Sequence, residues 1–333
     1  NGWGDSYEGL STIREGIVDS MTIVACKTLM YIGASNCLPY LESFGYKKIV
    51  AEDGVMSTAI GGLTYGVSNL ENCAAFGAIA NDGVYKEPMF YSRVVARDGT
   101  VLLDAEAIQD VHAVIDVATA SLLTDAMRDV VRYGTGVLCG IESAPLAGKT
   151  GTTNDDRDLW FVGYVPNGLC SCIWIGYDEN LSISNNNAQK TFYSRIMDQL
   201  VVARGAEGGS FELKGNIVEE TLCSKSGRFS NGLCEDDPEG STMITEYFRE
   251  DTIPYGRECF VHTKVRICTE SGKLAGEYCP EDSVEEVVRR IRTDLLDDYY
   301  FDNVHDGETA DTPYAVPEDV CDIHDENTTE STT

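Results

Sequence analysis

Gly148-Lys149-Thr150-Gly151-Thr152-Thr153, followed after five polar residues by Leu159-Trp160-Phe161-Val162-Gly163-Tyr164, is the stretch that decides the fold. A Lys-Thr-Gly tripeptide on a strand sets one ammonium, a hydroxyl and a side-chain-free position along a single edge, which suits an extended peptide ending in a carboxylate. Gly151 inside such a strand costs stability and is expected where a ligand or another backbone comes close. The apolar run that follows, and a third joined to it by Pro166-Asn167-Gly168, predict strands over about 146–152, 159–165 and 169–177. Trp160 and Phe161 read as packing residues, and Trp174, alternating with Cys170, Cys172 and Gly176, is expected in the core.

Upstream, Thr12-Ile13-Arg14-Glu15 fits a capping box, and apolar residues recur at helical spacing to Gly33, with an interruption expected near Ser20. Helices are also predicted over about 69–80, 118–133 and 189–203, and a hairpin over 89–101 with its turn at Asp98-Gly99. Helices first, then an antiparallel sheet, then a covering helix describe an α+β fold, an antiparallel sheet flanked by helices.

The formal net charge of -30 repels nucleic acid and anionic lipid head groups, which excludes both as partners. The charge is uneven: residues 205–333 hold 31 acidic against 11 basic residues, the signature of a solvated acidic surface or tail. No stretch approaches the roughly 18 apolar residues of a membrane span. The first residue is Asn rather than Met, and the chain reads as part of a longer protein.

From about Gly205 the chain becomes glycine-rich, acidic and punctuated by cysteine, and it repeats itself. Cys223-Ser224-Lys225-Ser226-Gly227-Arg228 leads to Cys234, and Cys268-Thr269-Glu270-Ser271-Gly272-Lys273 leads to Cys279. Each copy then closes on Cys-x-x-His, at Cys259 and His262 and at Cys321 and His324. The expected organisation is a domain over 1–205, a two-copy cysteine/histidine module over 206–326 and a disordered tail over 327–333. Two readings of the module stand side by side. Cys223–Cys234 and Cys268–Cys279 are disulfides stapling a small core, or Cys223, Cys234, Cys259, His262 and Cys268, Cys279, Cys321, His324 are two Cys3His complements for zinc. The six remaining cysteines, Cys26, Cys37, Cys73, Cys139, Cys170 and Cys172, are isolated among apolar neighbours and read as small buried hydrophobes.

Lys-Thr-Gly is one of three signatures shared by serine β-lactamases and penicillin-binding proteins. Together with Thr12–Glu15, Gly61-Gly62-Leu63-Thr64-Tyr65-Gly66-Val67-Ser68, Ala80-Asn81-Asp82-Gly83-Val84, Gly134-Thr135-Gly136 and Asp158–Tyr164, it makes residues 1–205 resemble the transpeptidase domain of class A penicillin-binding proteins. At the place of that family's Ser-x-Asn the chain reads Ser20-Met21-Thr22. Threonine offers one hydroxyl where asparagine offers a donor and an acceptor on a flat amide. No Ser-x-x-Lys occurs in the 333 residues, so the nucleophilic serine is expected upstream of this chain, and the chain alone is expected to be inactive.

The resemblance implies a peptidoglycan D,D-transpeptidase working by serine acyl transfer without a cofactor on stems ending in D-Ala-D-Ala, and acylated by β-lactams. It implies that Ser20 relays a proton and Lys149 supplies positive potential. It also implies that Thr22, Thr150, Gly151, Thr152 and Thr153 bind substrate, with the Thr152 N–H in the oxyanion hole. The expected location is the extracytoplasmic face of a bacterial membrane, with an anchor and a glycosyltransferase domain upstream. A D,D-carboxypeptidase, a β-lactamase-type hydrolase and a non-catalytic wall-binding protein are the alternatives.

Overall fold

The computed structural model describes residues 8–291 and 309–326, in two compact units: Ile13–Ile217, and Val218 onward together with the residues before Ile13.

The larger unit begins with α1 (Ile13–Val18) and α2 (Thr22–Ile32), separated at Ser20, whose φ of 55° lies in the left-handed region and breaks the helix. α3 (Leu38–Ser43) follows, and then α4 (Asn69–Ala80). A capping box starts α4: Glu71 N–H donates to Ser68 Oγ at 3.2 Å, and Ser68 N–H donates to the Glu71 carboxylate at 2.8 Å. Short strands β1 (Val84–Lys86), β2 (Arg93–Val95) and β3 (Val101–Asp104), helix α5 (Ala105–Ile108) and β4 (Val111–Ala113) come next, β2 pairing with β3 and β1 with β4. α6 (Val117–Arg132) is capped by Asp116, which accepts from Thr119 N–H at 2.9 Å.

β5 (Ala147–Thr152), β6 (Asp158–Tyr164) and β7 (Cys170–Gly176) form an antiparallel sheet in that order, closed by α7 (Ala188–Ala203). β6 runs through the middle with both faces covered, which is why its sequence is nearly continuously apolar. One face packs Phe161 with Leu146, Tyr193, Met197 and Val201; the other packs Tyr164 and Ala147 with Ile79, Ala120 and Met127. Buried on that second face, the Tyr164 hydroxyl lies 2.7 Å from Thr124 Oγ1.

Two expectations fail here. Trp174 stays 36% exposed, because β7 has no strand beyond it among the described residues; its indole N–H donates to Asp158 at 3.0 Å instead of entering the core. Of the six cysteines in this unit only Cys139 is buried, and Cys73 and Cys170 are not isolated, their sulfurs lying 3.9 Å apart where α4 packs on β7.

Among its described residues the smaller unit has little core and two strand pairs, β8 (Ile217–Cys223) with β9 (Met243–Arg249) and β10 (His262–Cys268) antiparallel to β11 (Val284–Arg290). β8 and β10 each end on a cysteine followed by a Ser-Gly turn, and the two turns carry the same hydrogen bonds. Cys223 N–H reaches Arg228 O and Cys268 N–H reaches Lys273 O, both at 2.9 Å, while Gly227 and Gly272 donate back to Cys223 O and Cys268 O, both at 2.8 Å. Val261 and the sulfurs of Cys223, Cys234 and Cys259 make up its apolar cluster, with Leu10 packed against it.

α1 is held at both of its ends. Arg14 donates to Asp129 and Asp125 of α6, each at 2.8 Å, and Gly134 lies so close beneath Val18 that a Cβ there would sit 2.4 Å from the Val18 carbonyl oxygen. Gly134→Ala is therefore expected to destabilise this unit by about 1–3 kcal/mol, the usual cost of overpacking, read as a lower urea midpoint at unchanged slope. An unchanged midpoint would show that the contact does not constrain the chain.

Candidate active site

The turn that Ser20 makes between α1 and α2 brings its hydroxyl over the edge of β5. Lys149 Nζ donates to Ser20 Oγ at 2.7 Å and to the Thr150 carbonyl at 3.1 Å. An ammonium has three donors, so one N–H direction is left for a further acceptor. Burial, reinforced by the positive charge of Lys190, disfavours the protonated form and lowers the Lys149 pKa to about 8. Near neutrality the group is still mainly protonated but holds a neutral minority far larger than an ordinary lysine's, which lets it take a proton as well as donate one.

Thr150 joins the same constellation: its Oγ1 lies 2.7 Å from Thr135 Oγ1, and Thr135 N–H donates to Val18 O at 3.2 Å. Thr135 thus connects β5 to the end of α1. Sequence reasoning quoted it within Gly134-Thr135-Gly136 without giving it a role.

β5 pairs with β6 in the register Lys149 with Val162, Gly151 with Trp160 and Thr152 with Leu159. One step further, Thr153 N–H donates to Asp158 O at 3.1 Å, so strand alternation turns the N–H of Thr152 toward the opposite edge, where no described strand covers β5. That outward edge is where an extended chain can add to the sheet. Gly151 sits tightly against β6, since a Cβ there would lie 3.2 Å from Trp160 Cβ. Thr22, in the first turn of α2, and Thr152 are exposed, with no side-chain hydrogen bond among the described residues. The Thr153 hydroxyl is engaged internally, accepting from Asp158 N–H at 2.8 Å and reaching the Asp158 carboxylate at 3.2 Å.

Asp53 is a further residue the motif reading missed. Its buried carboxylate accepts from Thr64 N–H and Thr64 Oγ1, each at 2.8 Å, and fixes the middle of the glycine-bounded segment at 61–66. A lone aspartate 11 positions from its partner leaves no periodic signal in a sequence.

In the smaller unit no cysteine is paired with another, so the Cys223–Cys234 and Cys268–Cys279 disulfides are not formed. Instead Cys223, Cys234, Cys259 and His262 converge, as do Cys268, Cys279, Cys321 and His324, the ligand atoms within each set lying within 4.8 Å of one another. Each set offers a metal ion four ligands.

Solved structures place the fold. Penicillin-binding protein 1A from Haemophilus influenzae matches with a TM-score of 0.60 at 20% identity, over 75% of this chain and 41% of that one. The PonA1 protein from Mycobacterium tuberculosis, in complex with penicillin V, matches at 0.53 and 22% identity, over 60% of this chain and 58% of that one. The larger unit therefore has the penicillin-binding-protein type of transpeptidase fold. The family model of the penicillin binding protein transpeptidase domain matches residues 1–197, and that of the penicillin-binding protein 1A C-terminal domain matches residues 261–295. The chain belongs to the penicillin-binding protein transpeptidase family. Penicillin-binding protein 1A of Clostridium botulinum is 29% identical over 289 residues, 85% of this chain and 34% of the relative. Penicillin-binding protein 1A/1B of Bacillus subtilis is 30% identical over 271 residues, 76% of this chain and 29% of the relative. The chain thus spans about a third of the length of these curated relatives.

The lowered pKa of Lys149 has a stability consequence with a definite sign. The unfolded chain keeps the proton to about pH 10.5 and the folded chain releases it near 8, so stability rises with pH across that window. Wild type minus Lys149→Met unfolding free energy is expected to climb by up to about 3 kcal/mol between pH 8 and 10.5, a shift of one unit being worth about 1.4 kcal/mol. Denaturant titrations of both proteins at several pH values test this, and a flat difference would mean that the ammonium is not desolvated.

Proposed function

We propose that the chain supplies the substrate-gripping strand and the proton relay of a peptidoglycan D,D-transpeptidase, working with a serine nucleophile from outside these 333 residues. The observation that carries the reading is the 2.7 Å contact between Lys149 Nζ and Ser20 Oγ beside an uncovered strand edge. A stem peptide ending in D-Ala-D-Ala lies along β5 in extended form. As the serine oxygen attacks the carbonyl of the penultimate D-alanine its proton passes to neutral Lys149, and the developing oxyanion is held by outward N–H groups such as that of Thr152. The C–N bond then breaks, and the departing D-alanine amine takes its proton through Ser20 Oγ, which Lys149 replenishes. An amine of a second stem then attacks the acyl carbon, the ester C–O bond to the serine breaks, and the amine's proton passes to the released serine oxygen, leaving the cross-link and a free hydroxyl.

The terminal carboxylate is met by the hydroxyls of Thr150 and Thr152 and by the free N–H direction of Lys149. Gly151 keeps the strand flat beneath the peptide. Thr22 contributes a single hydroxyl at the far wall. Thr153 acts through its tie to Asp158, which sets the end of β5. β-Lactams acylate the same serine as mimics of the stem terminus. The chemistry needs no cofactor, and the enzyme works on the extracytoplasmic face of a bacterial membrane. No helix among the described residues is long and apolar enough to cross a membrane, so in this reading the anchor lies outside them.

The longer protein that carries the nucleophile is the material for the test. Labelling by a fluorescent penicillin is expected to slow at least a hundredfold in Lys149→Ala and in Ser20→Ala, with thermal midpoints little changed, since a positioned acid or base contributes about a hundredfold or more. A donor stem incubated with an acceptor amine is expected to yield a cross-linked product. Undiminished labelling in Lys149→Ala, or hydrolysis products alone, would overturn the reading.

A further inference from the structure

We infer that the smaller unit holds two structural zinc ions, one in each Cys3His set, and that the two sites differ in strength because, among the described residues, only the first has a buried carboxylate behind its histidine. Nothing in this inference depends on the transpeptidase reading.

The histidine–sulfur spacings already match those of a closed tetrahedral site. His262 Nδ1 lies 3.3 Å from Cys259 Sγ and 3.6 Å from Cys223 Sγ. His324 Nδ1 lies 3.3 Å from Cys321 Sγ and 3.5 Å from Cys268 Sγ. Zn–S bonds of about 2.3 Å and Zn–N bonds of about 2.0 Å at tetrahedral angles give S···N edges of roughly 3.5 Å. Three thiolates and one imidazole in that arrangement suit zinc, and with four protein ligands no position remains open for catalysis.

In both sets Nδ1 faces the sulfurs, so Nε2 must carry the proton, and its partner decides how firmly the ring is held. In the first set Nε2 donates to Asp237 Oδ2 at 2.7 Å, with both side chains wholly buried. The same carboxylate accepts from Arg290 at 2.7 and 2.8 Å, and Arg290 is only 1% exposed. A buried Asp-Arg pair thus stands behind His262 and fixes its tautomer and orientation. In the second set His324 Nε2 meets only Glu270 among the described residues, at 3.5 Å, and that carboxylate is 59% exposed. All four ligands of the first set are buried, whereas three of the four in the second are half-exposed.

β10 connects the two. Its first residue, His262, closes the first set and its last, Cys268, opens the second, roughly 20 Å away at about 3.3 Å per residue. The Arg290 that supports His262 pairs with it across β11 in the strand register. The chemistry balances without an oxidant: each site exchanges three thiol protons for one Zn²⁺.

The test uses the full chain purified without chelator. Elemental analysis is expected to find two zinc ions per chain, falling to about one in Cys321→Ser, which leaves the first site intact. Titration with a chromophoric chelator should remove zinc in two steps, the weaker step being absent from Cys321→Ser. Asp237→Asn keeps every ligand, and is expected to weaken the tighter step 10- to 100-fold while leaving the weaker one in place. Three results would each overturn the inference. These are iron in place of zinc, less than about half a metal ion per wild-type chain, and a denatured mass that rises on reduction because the cysteines are joined to one another. Equal release from both sites would overturn the asymmetry.

Discussion

The larger unit is organised around the half-buried ammonium of Lys149. Lys149 gives up hydration where β5 passes under the α1–α2 turn and recovers two acceptors, Ser20 Oγ and the Thr150 carbonyl. A lysine with its full complement of water would stand off from the protein; here the cost of removing that water depresses its pKa to about 8 and makes its proton transferable. The constraint runs both ways, because Ser20 can meet the lysine only from a left-handed backbone conformation that ends one helix before the next begins.

What surrounds this contact keeps that arrangement in place. Arg14 bridges α1 to two carboxylates of α6, Gly134 lets the end of α1 approach the loop after α6, and Thr135 bonds to Val18 on one side and Thr150 on the other. Beneath them, β6 is buried on both faces and holds β5 in register, so the strand edge is presented by a rigid layer rather than by a loop. Rigid support is what a site needs when its groups must stay in place to a fraction of an ångström.

Much of this was legible in the residues. The three sheet strands, the helix over 69–80 and the break near Ser20 follow from period, turn chemistry and caps, and they are signals carried by neighbouring residues. The lysine-serine meeting spans 129 positions and was inferable only through family resemblance. Asp53 with Thr64 and Thr135 with Thr150 were not legible, since a hydrogen bond between distant, isolated polar residues imposes no pattern on the chain between them. Trp174 shows the limit of alternation: period two assigns a residue to a face of the sheet but does not say whether anything covers that face at the edge strand. The cysteine repeats were visible as spacing, yet spacing alone left pairing and ligation open. The convergence of a histidine nitrogen with three sulfurs is a three-dimensional fact.

β10 finishes one four-residue set and begins the next, so the smaller unit is built like a chain of links in which neighbours share a side. Such an array takes its rigidity from local clasps rather than from a common interior, and its length is then not bounded by how much apolar surface can be enclosed. A further copy would need only another strand leading away from His324, so the reach of this appendage can change by whole increments while the β5–β7 sheet stays as it is.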